Sequence, residues 1–138
     1  MTAPDAPVQI LLVESDLEHV EHVCRACSES GSPVRISIAA TAEEAMDRML
    51  DSDERPRKPL PDLLLIDCDL PDIGGIDLLS ILKRTESLPS IPAYIMTCSA
   101  DYEPVEDAFF VGVAGYWSKP IGTRALSDAI ELARLGRG

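Results

Sequence analysis

The chain has 138 residues, of which 46% are hydrophobic and 26% charged, so it can form one folded domain and is not globally disordered. Its 24 acidic and 12 basic side chains give a net charge of −12, which argues against direct binding to nucleic acid. No apolar run reaches membrane-spanning length and the first residues lack a signal-peptide pattern. We therefore expect a cytoplasmic protein without membrane contact, with its four cysteines reduced.

Apolar segments that alternate with charged and turn-forming segments predict five strands and five helices. The strands are predicted at Val8–Val13, Val34–Ala39, Leu63–Asp67, Ile91–Thr97 and Val113–Ser118. The helices are predicted at 17–30, 42–50, 76–84, 101–111 and 123–135. Prolines at positions 4 and 7 predict a flexible tail over residues 1–7, and we assign residues 8–138 to one domain.

The first helix carries two histidines and two cysteines that resemble a metal site. A helical wheel places its apolar side chains and both cysteines on one stripe, formed by Leu17, Val20, Val23, Cys24 and Cys27. His19 and His22 lie at the edge of that stripe and beyond it, so the four side chains do not converge as zinc ligands would. We interpret the cysteines as core residues and the histidines as solvated side chains.

The segment 61–75 contains the most informative strand. Four consecutive apolar residues without alternation predict a strand that is buried on both faces of a parallel sheet. The strand ends in an acidic cluster of Asp67, Asp69 and Asp72, because Pro71 cannot donate a hydrogen bond to a sheet. A carboxylate therefore follows a central strand, where open α/β sheets bind their ligands.

Strands that alternate with helices predict a doubly wound parallel α/β sheet, in which the carboxyl ends of the strands share one edge. Four strand ends carry reactive side chains, namely Glu14, Asp67, Thr97 and Lys119. Two carboxylates favour an oxygen-bound Mg²⁺, and a lysine with a hydroxyl favours a group with negative oxygens. This combination suits phosphoryl transfer to a carboxylate, with Asp67 as the nucleophile.

The sequence resembles the response-regulator receiver domains of bacterial two-component signalling, of the stand-alone CheY-like type, from Val8 to about Leu135. The resemblance rests on ILLVES at 10–15, LLLIDCDLPDIGGIDLL at 63–79, IPAYIMTCSA at 91–100 and GYWSKPI at 115–121. It implies a flavodoxin-like five-stranded parallel sheet with the strand order 2-1-3-4-5 in a single domain.

The resemblance also implies a role for each site residue. Asp67 would be the phosphoacceptor, and Mg²⁺ would bind Glu14, Asp67 and the main-chain carbonyl of Asp69. Thr97 and Lys119 would contact the phosphoryl group, with the Lys119–Pro120 bond in the cis form. Tyr116 would be the aromatic switch residue whose rotamer follows Thr97.

A domain of this kind is a signalling module rather than an enzyme, since its only chemistry is its own phosphorylation. Its implied partners are a sensor histidine kinase or a phosphotransfer protein, and a downstream protein target. The exposed, proline-rich loop at 51–61 resembles the small receivers that pair with phytochrome-type kinases.

One departure from the family pattern leaves a second function open. Receivers have two adjacent acids after the first strand, whereas this chain has Glu14 and Ser15. A neutral hydroxyl is a poorer Mg²⁺ ligand than a carboxylate, although Asp16 could take its place and Ser15 also suits a helix N-cap. The alternative is a pseudo-receiver that binds partners without phosphorylation. A dehalogenase-type hydrolase, suggested by the DxD at 67–69, is disfavoured by Pro71 and by the short chain.

Overall fold

Five parallel strands form one sheet in the order β2-β1-β3-β4-β5 in the computed structural model, which describes residues 6–98 and 112–136. The strands are β1 (Val8–Val13), β2 (Val34–Ala39), β3 (Leu63–Asp67), β4 (Ala93–Thr97) and β5 (Gly115–Ser118). The helices are α1 (Leu17–Glu29), α2 (Ala42–Met49), α3 (Gly75–Arg84) and α4 (Thr123–Gly136). The doubly wound sheet and its predicted strand order are confirmed. Residues 1–5 of the predicted tail and the predicted helix at 101–111 lie outside the described residues.

Two strands begin later than predicted. β4 begins at Ala93 rather than Ile91, because Pro92 has no N–H and contributes only its carbonyl, which accepts a hydrogen bond from Leu64 (2.9 Å). β5 begins at Gly115 rather than Val113, where its pairing with Tyr94 of β4 starts.

The central strand β3 separates two hydrophobic clusters, one on each face of the sheet. All five of its residues are buried, as the unbroken apolar run predicts. Leu64 and Ile66 pack toward α2 and α3, whereas Leu63 and Leu65 pack toward α1 and α4. Burial on both faces fixes the position of β3 in the sheet, and therefore also the position of the Asp67 backbone at its end.

The orientation of α1 differs from the prediction. Its buried residues are His19, Val20, Val23, Ala26 and Cys27. Their centre lies about 60° around the helix from the centre of the predicted stripe. This rotation exposes Leu17 (76%), leaves Cys24 half-buried and buries His19. The first residues of α1 therefore turn a polar side chain toward the sheet.

The apolar face of α4 is narrow. Its buried residues, Leu126, Ala129, Ile130 and Ala133, follow a regular helical spacing. Leu132 does not fit that spacing and is 63% exposed. In residues 6–98 and 112–136, no helix is long and apolar enough to cross a membrane.

Gly75 lies where α3 begins against the end of β3. A Cβ atom at this position would lie 2.2 Å from the carbonyl oxygen of Asp67 and 2.9 Å from Ile66 Cγ2. Since the nearest atoms belong to the backbone of a central strand, they cannot move aside without displacing Asp67.

We predict that Gly75→Ala lowers the free energy of unfolding by about 2–3 kcal/mol, because the added methyl group overpacks this contact. Chemical denaturation measures the loss. Gly122→Ala is the matched control, since no atom lies within 4 Å of its added Cβ. Equal stability of both variants would show that the backbone of β3 is not tightly fixed here.

A buried lysine and two carboxylates at the edge of the sheet

The carboxyl edge of the sheet brings three of the four predicted site residues into direct contact. Lys119 Nζ lies 2.5 Å from Glu14 Oε1 and 3.1 Å from Asp67 Oδ1. The three side chains are at most 8% exposed. Glu14 follows β1, Asp67 ends β3 and Lys119 follows β5. The site therefore takes one residue from β3 itself and one from a strand on each side of it. The Lys119–Pro120 bond is cis, as the family pattern implies.

Glu14 is surrounded by hydrogen-bond donors. Its Oε1 accepts from Lys119 and also from His19 Nδ1 (2.6 Å), and its Oε2 accepts from the Asp16 N–H (3.3 Å). Burial by itself would raise the pKa of Glu14. The hydrogen bonds from His19 and Lys119 outweigh burial and lower this pKa from 4.5 to about 2. Glu14 is therefore an ionised carboxylate across the physiological pH range.

Asp67 experiences the opposite balance. Burial raises the pKa of Asp67, and the neighbouring Glu14 carboxylate raises it further. The Asp69 N–H, 3.3 Å from Asp67 Oδ1, and the Lys119 ammonium partly oppose this rise. Two carboxylates thus share one ammonium, and a cation bound beside Asp67 would favour the ionised form of this carboxylate.

Oxygen atoms for such a cation lie beside Asp67. The ligand atoms of Asp67, Cys68 and Asp69 all lie within 4.8 Å of one another. Burial raises the pKa of the Cys68 thiol to about 11, so the thiol stays protonated and the two carboxylates are the suitable donors for Mg²⁺. In this arrangement both oxygens of Glu14 are occupied by protein donors. The donor set fits a hydrated Mg²⁺ held mainly through Asp67 and Asp69.

Ser15 and Asp16 do not supply the missing acid. The side chain of Asp16 is the N-cap of α1 and accepts a hydrogen bond from the Glu18 N–H (3.0 Å), so the N-cap expected at Ser15 is one residue later. Ser15 itself is exposed. The position where the family has its second acid is therefore a neutral, solvent-facing hydroxyl.

The histidines of α1 are not solvated, and that interpretation is wrong. His19 is 7% exposed and contacts Glu14, while half-buried His22 lies with its Nε2 2.9 Å from the carbonyl oxygen of Ile121. The two rings stack with centroids 5.9 Å apart. The cause is the rotation of α1, which turns His19 toward the sheet. A histidine five residues after the strand-end acid Glu14, in the first turn of α1, was the signal in the sequence.

Asp72 does not belong to the site, although the sequence places it in the same acidic cluster. Its two carboxylate oxygens accept hydrogen bonds from the N–H groups of Ala42 and Glu43, each at 2.9 Å. Thr41 completes the start of α2 as its N-cap, with its hydroxyl accepting from the Glu44 N–H (3.0 Å). Asp72 therefore fastens the loop after β3 to the N-terminus of α2.

Thr97 lies on the other face of the sheet from the lysine. It is fully buried, and Tyr116 packs on the same face against the cluster that α2 and α3 cover. Burial raises the pKa of Tyr116, and the neighbouring Thr97 hydroxyl opposes the rise. Trp117 points to the opposite face and stacks on Tyr94 with ring centroids 4.2 Å apart. Thr97 and Tyr116 are thus in contact, as a switch between them requires.

Comparison with known proteins agrees with this architecture. Residues 10–131 match the family model of the response regulator receiver domain, and the chain belongs to this family. The probable methanogenesis regulatory protein FilR2 of Methanothrix harundinacea is 32% identical over 125 residues, which are 91% of this chain and 80% of that protein. The chain spans 15% of the length of the DNA-binding transcriptional regulator NtrC of Proteus hauseri and 56% of that of the chemotaxis protein CheY of Pseudomonas aeruginosa.

Solved structures show the same fold. The bacteriophytochrome response regulator RtBRR superposes with a TM-score of 0.75 at 26% identity, over 96% of this chain and 80% of that chain. The Mn²⁺-bound form of the response regulator Rcp1 superposes with a TM-score of 0.70 at 25% identity, over 91% of this chain and 90% of that chain. The protein is therefore a receiver domain of two-component signalling.

We predict that Glu14→Gln lowers the free energy of unfolding at pH 7 by about 2–3 kcal/mol, because two buried donors lose an ionised acceptor. A lowered carboxyl pKa stabilises the fold above the ordinary value of 4.5, and this stability is lost as the pH falls toward 2. The difference between the wild type and the variant should therefore shrink over that range. Denaturant unfolding at several pH values measures it.

Glu21→Gln is the control, since Glu21 lies on the exposed face of the same helix. A Glu14→Gln variant as stable as this control at pH 7 would contradict the ionised state of Glu14.

Proposed function

We propose that this receiver domain accepts a phosphoryl group on Asp67 and signals through protein contacts that depend on its phosphorylation. The donor is a phosphohistidine of a sensor histidine kinase or of a phosphotransfer protein. The observation that carries this proposal is the contact of one buried ammonium, that of Lys119, with both Glu14 and Asp67. The fold similarity to RtBRR, whose name is that of a bacteriophytochrome response regulator, makes a phytochrome-type kinase the first donor to test.

In the transfer step a carboxylate oxygen of Asp67 attacks phosphorus. A P–O bond forms and the P–N bond to the donor imidazole breaks, and the imidazole leaves with the electron pair and takes up a proton. The Lys119 ammonium partly opposes the rise in the Asp67 pKa that burial causes, and it can then contact an oxygen of the transferred group. Bound Mg²⁺ would add positive charge beside those oxygens, with Asp67 and Asp69 as its protein ligands.

The phosphoryl group would be read on the other face of the sheet. Thr97 ends β4 next to β3 and contacts Tyr116 of β5. If the Thr97 hydroxyl moves to a phosphoryl oxygen, its contact with Tyr116 changes and the ring can repack. We propose that this change alters the surface of β5 and α4, where a downstream protein would bind.

A second candidate function is a pseudo-receiver, and Ser15 favours it. The exposed Ser15 hydroxyl takes the place of a metal-binding acid, and both oxygens of Glu14 already bind protein donors. A site with this donor set could keep the fold of the family and bind Mg²⁺ too weakly for phosphorylation.

We predict that acetyl phosphate with Mg²⁺ adds the mass of one phosphoryl group to the wild-type protein and none to Asp67→Asn. Ser15→Asp should be phosphorylated at a lower Mg²⁺ concentration, because the added carboxylate supplies a ligand and a charge. Intact-mass spectrometry over a Mg²⁺ titration measures both effects.

The alternatives separate in the same experiment. A wild-type protein that stays unmodified at every Mg²⁺ concentration, while Ser15→Asp becomes phosphorylated, would establish the pseudo-receiver. Modification of Asp67→Asn to the same extent as the wild type would show that Asp67 is not the acceptor.

A further inference from the structure

Two histidines of α1 contact the site, and the proposed phosphoryl transfer assigns them no role. His19 Nδ1 lies 2.6 Å from Glu14 Oε1, the same oxygen that Lys119 contacts. His22 Nε2 lies 2.9 Å from the carbonyl oxygen of Ile121. The stacked rings connect these two contacts, and we call His19 and His22 the histidine pair.

The contacts form a closed circuit around Lys119. Its ammonium binds Glu14, Glu14 binds His19, and His19 stacks on His22. His22 in turn binds the carbonyl of Ile121, which lies only two residues after Lys119. One helix thus contacts both the carboxylate that pairs with the lysine and the backbone that carries the lysine.

The partners fix which ring nitrogens carry hydrogen. His22 Nε2 faces a carbonyl oxygen and must donate, and His19 Nδ1 faces an ionised carboxylate and must also donate. His19 Nε2 is buried, and no hydrogen-bond partner for it lies among residues 6–98 and 112–136. An apolar side chain would fill this position without burying an unpaired nitrogen. The feature that distinguishes histidine here is therefore its hydrogen bond to Glu14.

We propose that the histidine pair positions Lys119 for contact with Asp67 and with the incoming phosphoryl group. Two donors on one oxygen fix the Glu14 carboxylate, and the fixed carboxylate places the ammonium 3.1 Å from Asp67 Oδ1. Without His19, only the longer hydrogen bond from the Asp16 N–H (3.3 Å) would oppose a rotation of the carboxylate, with the ammonium, away from Asp67. This inference rests on the proposed phosphorylation of Asp67 and adds His19 and His22 to it as positioning residues.

The test uses paired variants that keep or remove each donor. His19→Leu and His22→Leu remove the donors but retain bulk. His19→Asn keeps a donor at the position of Nδ1, and His22→Gln keeps one at the position of Nε2. Glu21→Gln, on the exposed face of the same helix, is the control.

The first readout is the ammonium itself. In ¹H–¹⁵N spectra the Lys119 ammonium should give a resolved signal in the wild type, because it is buried and hydrogen-bonded. The signal is assigned by its absence in Lys119→Arg. It should be lost or move toward the position of free lysine in both leucine variants, and return in His19→Asn and His22→Gln.

The second readout is phosphorylation by acetyl phosphate with Mg²⁺. We expect His19→Leu to lower the rate constant at saturating acetyl phosphate by about tenfold. This is the effect of losing one hydrogen bond in the transition state, here the bond from the displaced Lys119 ammonium to the phosphoryl group. The concentration for half-saturation should change little, and His19→Asn should recover most of the rate. Amide spectra establish that each variant is folded. If His19→Leu does not fold, the rates of His22→Leu and His22→Gln are compared instead.

The outcomes separate this inference from the proposed function. An unchanged Lys119 signal in folded His19→Leu and His22→Leu would overturn the inference, even if the wild type is phosphorylated at Asp67. A loss of signal and rate that the donor-keeping variants do not restore would also overturn it, since a packing role would then suffice. A wild type that takes up no phosphoryl group would contradict the proposed function, while the ammonium signals still decide whether the pair positions Lys119.

Discussion

A single buried ammonium between two buried carboxylates is the interaction on which the site depends. Removing ionised groups from water is costly, and only close opposite charges and hydrogen bonds offset that cost. Lys119 supplies one positive charge to Glu14 and Asp67, and the two carboxylates respond differently. Glu14 has additional donors and its pKa falls, whereas Asp67 has fewer and its pKa rises. The environment thereby makes one carboxylate a permanent anchor and leaves the other sensitive to added positive charge.

The fold supplies the precision that this interaction needs. β3 is buried on both faces and Gly75 packs directly on the backbone of Asp67, so the backbone that carries this carboxylate is held in place. Asp72 fastens the following loop to α2. The groups that contact the carboxylates come from other elements: the Lys119 ammonium from the end of β5 and the His19 imidazole from α1. The site combines elements that are far apart in the chain, which is why it forms only in the folded domain.

Most of the fold and part of the site could be predicted from the sequence. The apolar run before Asp67 and the reactive residues at the ends of parallel strands were sufficient to place Glu14, Asp67 and Lys119 at one edge, because parallel topology brings such ends together. The contact of His19 with Glu14 was not predicted, because a helical wheel shows only the relative directions of side chains and not the rotation of the helix on the sheet. The sequence also does not show that Asp72 points away from the site, since closeness in sequence does not fix where a carboxylate points after a proline.

The substitution at Ser15 takes its meaning from these contacts. The loss of an acid at position 15 reduces the negative charge around Lys119, but its ammonium still pairs with both Glu14 and Asp67. What is reduced is the number of oxygens free to bind a cation, because Glu14 is occupied by Lys119, His19 and the Asp16 N–H. The structure therefore favours cation binding on the Asp67 and Asp69 side of the site.

The most direct test of this account is a titration of the two buried carboxyl groups by ¹³C NMR in the protein without added metal. The account predicts that Glu14 stays ionised down to about pH 2. It also predicts that Asp67 takes up its proton at a higher pH than an ordinary aspartate, because of burial and the Glu14 charge. The reverse order, with Glu14 protonating before Asp67 as the pH falls, would contradict the central claim that Glu14 is the anchor of Lys119.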